Sequence, residues 1–446
     1  MKEKQSLSRR QFLQTTGAAA ASLTALGLPV SSVLAQGAPP AETAAQLAIY
    51  NWGNVIRQGV SAGGISRFNE RYPNVVVEDV YEPSQSGWGG YITNVQLRIA
   101  SGLPVDLIAM AIEGTWETIF QGIVIPLDDY IAEDEELQTI VSEFHPSLHD
   151  ALKVPRGPDG TTYYITREWN NMIIHINTRM FEEAGLDYPN PEWTWEEFLE
   201  TAQILTRGEG EDKVFGFAIP YFNFGMAPWW HTNETATLTE DWLDSNLDDP
   251  KMLESLQFLR SLVHEHGVSP DVFGTGMTDL FVSGKTAMSA AGRWPFVNYI
   301  ANDFYDVDIV PWPRNRAGTT VFGSGGYAIT TSAADPYLVI ELIKDMTDLQ
   351  TDADAITGGT YLPARESSTV DSEEFNAFPE HAHYFFGSLD DVKPIPSPPN
   401  FAEVESIFTR NVDNVMNNSI SAEEGLAAAH EELTEAMANL RERMGV

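Results

Sequence analysis

After a weakly patterned start, the chain alternates short β-branched runs with longer stretches whose apolar residues recur every three or four positions. Gln46–Trp52 holds Leu47, Ile49 and Tyr50 and reads as a buried strand. The helical pattern from Ile56 to Tyr72 is closed by Pro73. Asn74–Tyr81 is β-branched, with Val75, Val76, Val77 and Val80, and predicts a second strand. A strand, a helix and a strand in that order make a parallel crossover unit. The pattern continues with a helix over Tyr91–Ser101, stopped by Gly102 and Pro104, and a third strand over Val105–Met110. The predicted fold class is α/β.

Later stretches extend the alternation. Trp195–Thr206 reads as a helix, with Thr194 as its N-cap and Glu196 and Glu197 where the helix dipole favours acids. Further helices are predicted over Lys251–Gly267, Tyr337–Gln350 and Ala422–Arg443, and short strands over Gly216–Ile219, Val307–Val310 and Tyr327–Thr331. The Pro-rich run Pro394–Pro399 reads as a surface loop. Neither an internal repeat nor a low-complexity linker interrupts the pattern.

The N-terminus changes the picture. Ser8, Arg9, Arg10, Gln11, Phe12 and Leu13 form a twin-arginine motif, followed by a small, weakly apolar run from Gly17 to Val30 and by Val33-Leu34-Ala35. A basic start, a short apolar middle and a small-residue exit are the parts of a signal peptide. The apolar run is shorter than the roughly 20 residues a bilayer span needs. The expected route is the twin-arginine export machinery, with cleavage near Ala35 and a free periplasmic product. The chain has no cysteine, which excludes disulfides, thiol chemistry and Cys-based metal sites. Its formal net charge is −38, and removing the basic leader makes the remainder more acidic. Such a charge repels nucleic acid and anionic lipid. The length suggests two or three domains.

Several stretches carry a resemblance. Tyr91 to Asp106 reads YITNVQLRIASGLPVD, Gly122 to Asp129 reads GIVIPLDD, and Phe281 to Trp294 reads FVSGKTAMSAAGRW. Asn177-Thr178, Met180-Phe181, Ala184-Gly185-Leu186 and Trp193-Thr194-Trp195 with Glu196-Glu197-Phe198 form the strongest run, and Gly323 to Ile329 and Leu362-Pro363 complete the set. In this order they resemble the extracellular solute-binding proteins, family 1, the sugar-binding components of ABC importers that include maltose-binding protein. The resemblance implies a two-lobed periplasmic-binding-protein fold, with a hinge of three crossing segments and a central ligand cleft. It places the N-lobe at 44–165 plus 313–360 and the C-lobe at 166–312 plus 361–446, and the Pro- and Gly-containing stretches near 155–160, 311–318 and 357–363 are the expected crossings. It implies a carbohydrate ligand, an oligosaccharide because aromatics are many, and permease subunits as partners. No cofactor, no metal, no catalysis and a monomeric state are expected. The motifs leave the particular sugar open.

Candidate contacts follow from the chemistry of a sugar, which has an apolar face and a polar rim. Flat aromatics cover the face with little side-chain entropy to lose. Trp52, Trp88, Trp116, Trp169, Trp229, Trp230 and Trp294 are candidates by their neighbours, Trp52 also by its place at a strand end, where open α/β sheets bind ligands. Glu113 follows the third strand and can accept two hydroxyl hydrogen bonds. The resemblance adds Glu168, Asn170 and Asn171 on the first crossing segment, Tyr221, Phe222 and Phe224 on a floor loop, Gly326 and Tyr327 in a glycine-rich stretch, and Trp294 as a stacking residue. Arg293 is a candidate fork donor. Arg293, Arg365 and Arg167 are the basic residues on which an anionic cargo, such as a glycerol phosphodiester, would depend.

Other motifs are weak. Ser283-Gly284-Lys285-Thr286 resembles the end of a phosphate loop, but Asp279 stands where that loop needs its first glycine. His264-Glu265-His266 and His381-Ala382-His383 have a spacing that points the two rings apart on a helix. The alternative of a secreted carbohydrate-active enzyme requires two opposed acids across a cleft, which no motif marks.

Overall fold

The computed structural model describes residues 37–53, 55–82, 87–144, 161–271, 277–370, 372–387 and 389–445. The expected signal peptide and the expected crossing near 155–160 lie outside the described residues. Pro40–Val446 form one compact unit.

Two sheets organise that unit. The larger has strand order β10-β4-β9-β3-β1-β2, with β11 also paired to β9. Its strands are β1 (Ala45–Trp52), β2 (Val75–Glu82), β3 (Leu107–Ala111), β4 (Ile165–Asn171), β9 (Val321–Ile329), β10 (Leu362–Pro363) and β11 (Lys393–Pro394). β1 runs parallel to β2 and β3, as the crossover pattern predicts, and β9 lies antiparallel to β3 and β4. The smaller sheet has the order β6-β7-β5-β8, built from β5 (Ile173–Asn177), β6 (Phe215–Phe217), β7 (Thr286–Ala291) and β8 (Val307–Val310). Strand pairing puts the exchange between the two sheets at Met172, between β4 and β5.

Helices cover both sheets. Those that matter for the site are α1 (Val55–Arg71), α2 (Gly87–Ala100), α3 (Ile112–Phe120), α4 (Trp195–Leu205), α5 (Asn223–His231), α6 (Phe296–Ala301), α7 (Pro336–Met346), α8 (Phe401–Met416) and α9 (Ala422–Met444). α4 starts as predicted: Thr194 and Glu197 form a reciprocal capping box that satisfies two exposed backbone donors. α1 is tied to α7 and the turn after it through Arg71 to Glu341 at 2.5 Å and Arg67 to Asp348 at 2.6 Å.

The glycine-rich stretch at 323–326 is the middle of β9, buried along its whole length. A Cβ on Gly326 would stand 2.2 Å from the Ile165 carbonyl oxygen of β4, and glycine serves where backbones approach. One expectation is corrected: the Pro-rich run is not at the surface. Residues 395–400 are buried and follow β11, whose Lys393 N–H donates to the Thr320 carbonyl at 3.0 Å. Proline brings no N–H, so an extended proline run can be buried with fewer donors to satisfy.

Candidate ligand-binding site

A cavity of about 510 Å³ opens where β1 and β3 end, between elements of the two sheets. That is within the range of small-ligand sites, roughly 300–1,000 Å³. Strand ends of an α/β sheet are where backbone groups and side chains converge without a covering helix.

One wall is aromatic and belongs to the larger sheet. Trp52 leaves β1 and stacks on Trp88 of α2, ring centroids 4.4 Å apart and planes 21° from parallel. Tyr91, fully buried, meets both edge-on and donates its hydroxyl to the Tyr50 carbonyl at 2.6 Å. The pair is thus held from behind by a group with no freedom of its own. The facing wall comes from the smaller sheet's side. Phe222 and Phe224 lie 6.4 Å and 6.3 Å from Trp294 by ring centroids. A Cβ on Gly292 would stand 2.3 Å from the Trp294 ring and 2.8 Å from Asn170 Oδ1, so only glycine lets that indole fold back against β4.

Polar groups line the floor. Glu168 and Asn170 sit two apart on β4 and share a face, while Trp169 between them is buried against Phe322. A register shift between Thr166 and Glu168 breaks the ladder there. Glu168 Oε1 accepts from Arg57 at 2.7 Å and from Arg167 at 2.8 Å. Burial alone would raise this carboxyl, but the two guanidiniums outweigh it and hold it below its ordinary value. Asn170 Oδ1 accepts from the Arg293 backbone N–H at 3.3 Å. Glu113, in the first turn of α3, and Glu405, on α8, complete the lining. Burial pushes Glu113 up to about 8, against a pull from its own backbone N–H, and the Glu405 charge adds to the rise. Burial pushes Glu405 up to about 7.

Of the sequence candidates, the cavity brings together Trp52, Trp88, Glu113, Asn170 and Trp294, with Glu168, Phe222 and Phe224 from the resemblance. The others do not line it. Trp229 and Trp230 are core residues of α5, a helix buried on every side; Trp229 packs against Trp195, Phe198 and Trp312, and Trp230 meets Phe408. Trp116 lies edge-on to Trp242. Arg293 is 2% exposed, sandwiched between Phe296 and Phe375, and donates to the Ile356 carbonyl. Arg365 is bound to Glu143 and the Thr347 carbonyl. Tyr327 accepts from Arg167, and Gly326 pairs with Thr166 and Met110 inside the sheet. Tyr221 is partly buried and packs on the core beside the loop. Asn171 is fully buried and donates to the Phe385 carbonyl.

Arg57 and Glu405 line the cavity without a mark in the sequence. Arg57 is one residue of a helical pattern, and Glu405 is one acid of many on an amphipathic helix. Elsewhere, Asp308, Glu380 and His381 place ligand atoms within 4.8 Å of one another, the one such group among the described residues. Asp308 is engaged there by the His381 ring at 2.5 Å and lies outside the cavity. Ser283-Gly284-Lys285-Thr286 forms the tight turn into β7, with Gly284 at φ +71° and Thr286 buried.

Two α/β sheets with a polar and aromatic cavity between their elements define a two-lobed binding protein. The model of the bacterial extracellular solute-binding protein family matches residues 53–348, and the chain belongs to that family. Solved structures share the fold. An ABC substrate-binding protein from Listeria monocytogenes in complex with cycloalternan has a TM-score of 0.80 at 20% identity, over 89% of this chain and 100% of that one. Maltose-bound MalE3 of T. maritima has a TM-score of 0.76 at 18% identity, over 87% and 99%. A relative from Brucella abortus, described as a binding protein, is 26% identical over 259 residues. That match spans 55% of this chain and 57% of the relative's length.

Proposed function

We propose that the protein binds a carbohydrate, an oligosaccharide, between its two lobes and hands it to the permease of an ABC importer without altering it. The observation that carries this reading is the cavity itself: flat indoles on one wall, aromatics on the other, and a polar floor of Glu168 and Asn170. Aromatic faces match the C–H face of a sugar and carboxylates match its hydroxyl rim. The sugars bound by structural neighbours, cycloalternan and maltose, support the same class. The two lobes are proposed to follow the two sheets and to close on cargo that contacts both. Export by the twin-arginine route, cleavage near Ala35, a periplasmic location and a monomeric state belong to the same proposal and rest on the N-terminal sequence and on the family.

An anionic cargo is disfavoured. Arg293, Arg365 and Arg167 lie off the lining, and Arg57, which lines it, is paired with Glu168. The acid pair Glu113 and Glu405 bears on the enzyme alternative, because glycoside hydrolysis uses two carboxyls across a cleft, one protonated as general acid and one ionised as base or nucleophile. A thermal-shift screen of the purified protein against mono- and oligosaccharides tests the proposal. Ligand that binds only the folded state raises the melting temperature. A rise with neutral or amino sugars, and no new reducing ends after incubation, is the expected result. New reducing ends would make it an enzyme, and a shift with phosphodiesters alone would replace the cargo.

A further inference from the structure

The cavity holds an imbalance of charge. Glu113 and Glu405 arrive from different helices, α3 and α8, and face the same space. The close approach of α8 is built in: a Cβ on Gly89 of α2 would stand 2.7 Å from Ala402 Cβ, one turn before Glu405. Among the described residues lining the cavity, the one cation is Arg57, and Glu168 already holds it at 2.7 Å. Among the described residues no cation is paired with Glu113 or Glu405, and the charge of Glu405 adds to the rise of Glu113. Glu168 is 6% exposed, and its second oxygen, Oε2, has no partner although the first is bound twice. The site thus offers three carboxyls, two of them uncompensated and one with a buried free acceptor. Beside them stand the stacked indoles, whose faces attract cations as well as C–H groups.

A neutral sugar would leave one acid of the pair holding a proton or both repelling. A cation on the cargo removes that cost and lets both carboxylates accept charged hydrogen bonds, which are stronger than neutral ones. Within the carbohydrate reading, on which this inference rests, we infer that the cargo carries a protonated amine, an amino sugar seated between Glu113 and Glu405 against Trp52 and Trp88. The net charge of −38 acts in the same sense, drawing cations toward the protein.

Calorimetric titration with matched pairs that differ in one amine tests this: glucosamine against glucose, galactosamine against galactose, and the dimer of β-1,4-linked glucosamine against cellobiose and against its N-acetylated form. The amine member of at least one pair should bind about tenfold tighter or more. Glu405→Gln, on a partly exposed position, should reduce that preference to below about threefold while the melting curve stays cooperative, and Glu113→Gln should do the same. Equal or tighter binding of the neutral members would overturn the inference and leave the sugar reading standing, as would a preference that survives both substitutions. Silence from every sugar, here and in the wider screen, would sink both.

Discussion

Trp294 and Trp229 are the same side chain with opposite tasks. Trp294 is part-buried at the cavity wall, so Trp294→Ala should weaken sugar binding by about 1–3 kcal/mol with little change in melting temperature. Trp229 is wholly inside the core, so Trp229→Ala should cost about 3–5 kcal/mol of stability. Titration calorimetry and denaturant melts on both variants check the contrast; a Trp294→Ala variant that binds as before would remove that residue from the site. Neither residue differs in type or in apolar surroundings along the chain, which is why both are candidates in the sequence. Strand-end placement was the more useful cue, and it marked Trp52 and Glu113. Arg57 and Glu405 had no such cue, because a charge on a helix is ordinarily solvated and the chain has 64 acids to choose among.

At the scale of elements, legibility tracked the period of the pattern. Helices with caps were plain, and α9 matches its predicted span to within a residue. Its Ser421 and Glu424 form a capping box, so Ser421→Ala should cost about 1 kcal/mol in a chemical melt. A loss indistinguishable from zero would mean that packing against α8, and not the cap, sets the start of α9. Strands β4, β5 and β7 were not predicted. They are buried on both faces and read as short apolar or mixed runs that lack alternation. β9 was shortened in prediction, because its glycines look like a loop until the strands on either side are known.

For the molecule as a whole, charge and protons dominate. Glu113 at about 8, Glu405 and Asp352 at about 7 and Asp79 at about 6 are all raised, each chiefly by burial. The folded chain therefore keeps protons that the unfolded chain has released. The stability tied to these groups falls as pH rises from the ordinary carboxylate range toward about 8. Glu168 and Asp134 act oppositely, since both are held low and lose their contribution only under acid conditions. Melting temperature should thus decline from about pH 5 to about pH 8, and Glu113→Gln should flatten the decline. A flat profile in the unsubstituted protein would contradict the burial of these acids. Added salt should raise the melting temperature, because screening relieves repulsion among so many acids; equal melting at low and high salt would show that the surface charges are too dispersed to matter.

The position of Glu405 has an evolutionary corollary. The segment by which the chain is assigned to its family ends at 348, yet a carboxyl facing the cavity is delivered from α8, beyond that segment. On the proposed role of Glu405, two members with near-identical matching regions would diverge in cargo through a single substitution in their C-terminal helices. Transferring specificity from one homologue to another on the strength of the matched region alone would miss that change.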